Sequence, residues 1–150
     1  MKIQKSVNES WSFETYTLGN GHKIQLGPGS TIINSLVNGQ ARIDKMSTIN
    51  RSTLSGFNGI GCFSYLADTT VGRYSTIASR VSCGAFNHPM NWLSVSEFQY
   101  RDVQENIAQP WHLNSEDITR QRTVLGADTW ICDNVVIITG CKVGTGAIVG

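Results

Sequence analysis

An excess of charge of either sign is missing from this chain. Its 150 residues carry 12 Lys and Arg against 11 Asp and Glu, so there is no basic excess to hold nucleic acid or an anionic membrane, and neither an acidic tail nor a basic arm. Long apolar runs are missing too. Nowhere do 18 apolar residues run together, and the opening MKIQKSVNESWSF has Lys2 and Lys5 with no apolar stretch behind them. A membrane span and a secretory signal are therefore not expected, and a soluble, cytoplasmic protein is. The four cysteines, Cys62, Cys83, Cys132 and Cys141, form no C-x-x-C pair. Zinc needs clustered ligands, and a free Cys behaves as a small hydrophobe, so buried free thiols are expected rather than disulfides or a metal site. The length suits one domain.

What is present is a period. In LGADTWICDNVVIITGCKVGTGAIVG an aliphatic residue falls every six positions: Leu125, Ile131, Ile137, Val143 and Val149. Four places after each stands a small or β-branched residue (Thr129, Val135, Cys141, Ala147), and turn formers such as Asp133-Asn134 and Thr139-Gly140 come between. The period is neither that of a helix nor that of a simple strand. Each hexad is instead a short strand and a corner, the pattern of a parallel β-helix in which one side chain per strand stacks on its copies above and below.

The same phase runs through Ile43, Ile49, Leu54, Ile60, Leu66, Val71, Ile77 and Cys83, with Ser47, Thr53, Ser64, Thr70, Ser75 and Val81 in the small places. Two of its steps, Ile49 to Leu54 and Leu66 to Val71, are one residue short, a deletion a corner absorbs more readily than a strand. Before it, Leu18, Asn20-Gly21, Ile24 and Leu26 predict a hairpin with a primed turn that covers the first coil. After Cys83 the pattern stops, and counting on would put Pro89, Arg101 and Thr119 in the core. Residues 84–123 are therefore predicted to leave the coil as a loop, and so long a loop in a compact domain is usually functional. The resulting division is 1–42 cap and first coil, 43–83 coils, 84–123 excursion, 124–150 coils. Val149-Gly150 begins another hexad without a polar cap, which reads as a solenoid truncated there or covered by another chain.

The coil sequence resembles that of the hexapeptide-repeat acyltransferases, and GAFNHPMNW resembles the G-x-x-N-H-x-M/T-x-W segment of their xenobiotic and polysaccharide O-acetyltransferase branch. The resemblance implies an all-β fold, a left-handed parallel β-helix with about 18 residues per coil, and a homotrimer with sites between adjacent chains. It also implies transfer of acetyl from acetyl-CoA to a hydroxyl of a sugar, polysaccharide precursor or small hydroxylated xenobiotic. In that branch the motif histidine, here His88, is the catalytic base. A neutral imidazole within reach of a hydroxyl can take its proton as it attacks a thioester, and Pro89 restrains the backbone before it.

The W-I-G-x sequence of the branch is matched by Trp130-Ile131-Cys132-Asp133. The Asp133 backbone N–H would then be the oxyanion donor and Trp130 would lie near acetyl-CoA, with Cys132 in place of glycine. Asn87, Trp92, Phe98 and Tyr100 are candidate acceptor-binding residues, the aromatics able to wall a pocket. His22 and His112 are read as structural or solvent-facing. A γ-type carbonic anhydrase on this coil would need three metal-binding histidines, and the coil supplies none. A non-catalytic β-helical scaffold or binding module is the alternative function.

Overall fold

The structure, a computed structural model, describes residues 12–85, 87, 88, 90, 93–96 and 121–150. Among these residues every regular element is a β-strand. A hairpin opens the chain, Glu14–Thr17 (β1) antiparallel to Lys23–Leu26 (β2). Strand β2 is also the first side of a coil continued by Thr31–Ile33 (β3) and Leu36–Val37 (β4). The second coil is Ala41–Ile43 (β5), Thr48–Asn50 (β6) and Thr53–Leu54 (β7), and the third is Asn58–Ile60 (β8), Tyr65–Ala67 (β9) and Thr69–Val71 (β10). Thr76–Ile77 (β11), Ser82–Ala85 (β12) and Thr123–Leu125 (β13) make the fourth. Trp130–Ile131 (β14), Val136–Ile138 (β15) and Lys142–Val143 (β16) make the fifth, and Ile148–Val149 (β17) starts another. The protein is thus a parallel β-solenoid of about six turns with three sheets, ordered β1-β2-β5-β8-β11-β14-β17, β15-β12-β9-β6-β3 and β16-β13-β10-β7-β4.

The aliphatic phase is the core. Leu26, Ile43, Ile60, Ile77, Ile131 and Val149 stand in register across the first sheet, Ile32, Ile49, Leu66, Cys83 and Ile137 across the second, and Val37, Leu54, Val71, Leu125 and Val143 across the third. All are buried except Val143 and Val149, which are partly so. Burying each Leu, Ile or Val contributes about 1.5–3 kcal/mol, and narrow prisms of stacked aliphatics have no other large hydrophobic reservoir. The first coils pair residues 17 apart, one fewer than the roughly 18 that the resemblance implies, because the step from second to third sheet is one residue short there, as the spacings Ile49 to Leu54 and Leu66 to Val71 predict. The turn of the hairpin, by contrast, is not primed. Leu18 accepts from the Gly21 N–H at 2.9 Å and only Gly21 in the loop has positive φ, which describes a three-residue loop ending in a left-handed glycine.

The short step relocates the small inward places. Where it occurs they are Ser35, Ser52 and Thr69, all buried, whereas Thr53 and Thr70 lie half-buried on the outer face of the third sheet. Inside, hydroxyls form ladders between coils. Ser64 Oγ donates to the Ala78 carbonyl at 2.9 Å and accepts from the Val81 N–H at 3.2 Å, and Ser47 does the same for Gly61 O at 2.7 Å and Ser64 N–H at 3.1 Å. Ser52 accepts from the Thr69 N–H at 3.0 Å. A hydroxyl suits this position because it donates once and accepts twice, so each coil step satisfies a carbonyl and an amide that the corner would otherwise strand. Among the described residues no buried side-chain N or O lacks a partner.

Corners turn through left-handed residues stacked in columns. Gly29, Met46, Phe63, Arg80 and Asn134 form one such column and Asn34, Arg51 and Asp68 another. None of the non-glycine members is β-branched, consistent with the steric cost of positive φ.

Candidate functional site

The excursion leaves from the second sheet and returns to the third. Its exit is fixed by Gly84, where the pairing of β12 with β15 slips between Cys83 and Ala85. Gly84 has φ +74, and a Cβ there would overlap the Ala67 carbonyl oxygen. Only glycine both adopts the left-handed bend and allows this approach. The return is latched at the same corner. Arg122 donates from Nη1 to Thr70 Oγ1 and from Nη2 to the Arg51 carbonyl, both at 3.1 Å, and Gln121 O accepts from Thr139 Oγ1 at 2.6 Å. Beneath them Arg51 grips Asp68 with two bonds of 2.9 and 2.7 Å, a bidentate contact that raises the Arg51 pKa.

His88 lies just beyond this exit, exposed, with Nδ1 2.8 Å from the Val95 carbonyl oxygen. A carbonyl only accepts, so Nδ1 carries the proton of the neutral ring and the lone pair resides on Nε2. The side chain is thereby oriented by its own loop, as a proton-accepting imidazole requires. Asn87 beside it is exposed. Met90 and Leu93, a few residues on, are 91% and 96% exposed. Trp92, Phe98 and Tyr100 lie outside the described residues, as do Pro89, Arg101 and Thr119, which the phase argument placed out of the core.

Trp130 and Asp133 occupy a different side of the prism. Trp130 faces outward from β14, half-exposed, in register between Thr76 and Ile148. Asp133 is in the corner between the first and second sheets, its Oδ1 accepting from the Ser79 N–H at 2.6 Å. Its own backbone N–H has no acceptor among the described residues. Cys132 before it is half-buried, its Sγ against the place of Gly150 in the next coil. The width of the second sheet separates this corner from the one where His88 emerges, so within one chain the expected base and the expected oxyanion donor are not brought together.

All four cysteines are free thiols, but only Cys83 is buried. Cys62, Cys132 and Cys141 are half-buried, short of the full burial expected. Burial pushes the Cys83 thiol up to about 11, partly opposed by a bond from Thr69 Oγ1. Among the described residues no three His, Cys, Asp or Glu side chains could together hold a metal ion, and no helix is long and apolar enough to cross a membrane.

Sequence reasoning missed Gly84 and Arg122 as the two posts of the loop. Gly84 was legible in principle as the residue after the last rung before the phase breaks, whereas Arg122 carried no signal, since its partners are 52 and 71 residues away. No protein-family model matches the chain, and no curated protein matches it in sequence.

Proposed function

We propose that the protein is an O-acetyltransferase that moves acetyl from acetyl-CoA to a hydroxyl of a sugar or small hydroxylated compound, with His88 as general base. The observation that carries the reading is the His88 ring, held through Nδ1–H by the Val95 carbonyl on a segment ejected from a hexad-repeat solenoid, within a sequence that resembles the base motif of the O-acetyltransferase branch.

Nε2 takes the proton of the acceptor hydroxyl as its oxygen attacks the thioester carbonyl. The negative charge that builds on the carbonyl oxygen meets a backbone N–H, for which the unpartnered Asp133 amide is the candidate. The C–S bond then breaks, and the imidazolium returns its proton to the departing CoA thiolate, leaving the acetyl ester and free thiol. Base catalysis of this kind is worth about 10² to 10⁴ in rate.

The separation of His88 from Trp130 and Asp133 is accommodated by a homotrimer in which the loop of one copy reaches the first sheet of the next. The exposed apolar side chains of Met90 and Leu93 beside His88, and of Trp130 and Ile148 on that sheet, support such a shared site. Trp130 would then stand beside the pantetheine arm, and Asn87 with the loop aromatics Trp92, Phe98 and Tyr100 would contact the acceptor.

A thiol-release assay with acetyl-CoA and a panel of hydroxylated acceptors tests the reading. His88→Ala is expected to lower kcat by about 10² to 10⁴ with an unchanged melting temperature, since no core packing rests on the exposed ring. Wild-type turnover in a normally folded His88→Ala protein would place the base elsewhere, and a non-catalytic scaffold would then be the better account.

A further inference from the structure

Most coil glycines are explained by packing. A Cβ at Gly27, Gly61, Gly72 or Gly126 would come within 3 Å of the backbone of the following coil. Gly59, in the middle of β8, is different. A Cβ there meets nothing nearer than Thr76 Cγ2 at 4.0 Å, and its φ is not left-handed. Glycine in a strand interior weakens the strand and packs nothing, so its presence where the fold does not require it marks a place something else approaches.

The outward side of Gly59 is the floor of a cleft of about 360 Å³, lined among others by Lys23, Gln25, Gln40, Arg42 and Phe57. Gln25, Arg42 and Gly59 stand in register on β2, β5 and β8, so the missing side chain leaves a gap below the guanidinium. That guanidinium is already positioned. Arg42 Nε donates to Asp44 Oδ1 at 2.9 Å, and its central carbon lies 4.2 Å from the centre of the Phe13 ring, while its Nη atoms have no acceptor among the described residues. Lys23 has no carboxylate partner among them either. The opposite wall is braced as well. Phe57 stacks on Tyr74 with ring centres 5.1 Å apart and planes 18° apart, and His22 meets it edge-on at 5.6 Å. With Asp44 offsetting one of the two cations, the cleft keeps one positive charge uncompensated among the described residues.

We propose that this cleft binds a small molecule that joins a carboxylate to a flat ring. The carboxylate sits against the Arg42 Nη atoms and Lys23, the planar fork matching two oxygens. The ring lies over Gly59 beside Phe57, in space that a side chain at residue 59 would enter. Gln25 and Gln40 supply amide groups for ring substituents. A monoanion matches the single residual charge. The cleft is on the first sheet, over the first three coils, and uses neither His88 nor its loop, so it stands independently of the acetyl-transfer reading.

Benzoate is the probe, titrated into the full chain while backbone amide shifts of Gln25, Arg42 and Gly59 are followed. Saturable binding is expected, at least tenfold tighter than that of acetate, which lacks the ring, of benzyl alcohol, which lacks the charge, or of inorganic phosphate. Gly59→Leu is expected to weaken benzoate at least tenfold without lowering the melting temperature, because the fold has room for the side chain. Lys23→Gln and Arg42→Gln are expected to weaken it severalfold, and Arg42→Gln decides the matter should Gly59→Leu fail to fold. Absence of saturable benzoate binding, binding undiminished in a folded Gly59→Leu protein, or phosphate bound as tightly as benzoate would each overturn the assignment.

Discussion

Ser52 and Thr53 are neighbours in sequence with opposite surroundings. Ser52 is buried and its Oγ receives the Thr69 N–H, while Thr53 faces out from the third sheet. Ser52→Ala should therefore cost about 1–3 kcal/mol, the penalty for stranding a buried donor, and Thr53→Val should stay within about 0.5 kcal/mol, both read from denaturant midpoints. The six-residue count had put Thr53 inside, and it erred because a corner can drop a residue between the aliphatic rung and the small place without disturbing either column. Cys83 was legible as a rung from its phase alone, and its burial adds a pH dependence. The folded thiol, pushed up to about 11, lies above its unfolded value. Its contribution is thus intact below about pH 9 and lost as pH rises through 11, by about 2–3 kcal/mol. Cys83→Val should flatten that alkaline limb in urea unfolding at pH 8 to 11, and superimposable profiles would contradict this.

At the scale of elements, the exit of the excursion depends on the bend at the end of β12. Gly84→Ala would force a Cβ into the Ala67 carbonyl and hold alanine at positive φ, so a loss of at least about 2 kcal/mol is expected by thermal or urea unfolding. An unchanged midpoint would mean that the strand end can repack without its slip. The coils themselves were readable because stacking repeats one requirement many times: Ile43, Ile60 and Ile77 announce each other. The first coil was less visible. Ile24 and Leu26 alternate like an isolated hairpin, and only the pairing of β2 with β5 shows that Leu26 also heads a column. The cleft over Gly59 was not read, since its residues lie on successive coils, and Gln25 joins Arg42 and Gly59 on one outer face only through the pairing of β2 with β5.

For the whole molecule, the reading of a shared site predicts a homotrimer, and sedimentation at micromolar concentration should give three times the 16.4 kDa chain mass. A monomer at that concentration would remove the route by which His88 could meet Asp133 of another copy. The proposal of a shared site rests on resemblance, because a single sequence carries no trace of which faces adjoin. The excursion also has a kinetic consequence. Strands of the first three coils pair across 17 residues, but Ile77 must find Ile131, 54 residues on. Closing the longer loop costs about 1 kcal/mol more chain entropy than closing a coil, and a solenoid whose units touch only their neighbours has nothing beyond that gap to offset the cost until β13 and β14 have docked. The proximal coils can therefore zip to β12 on their own and wait, and assembly of the distal turns becomes a separate, slower event. Until it occurs, β10, β11 and β12 stand as an open template of unpaired strand edges.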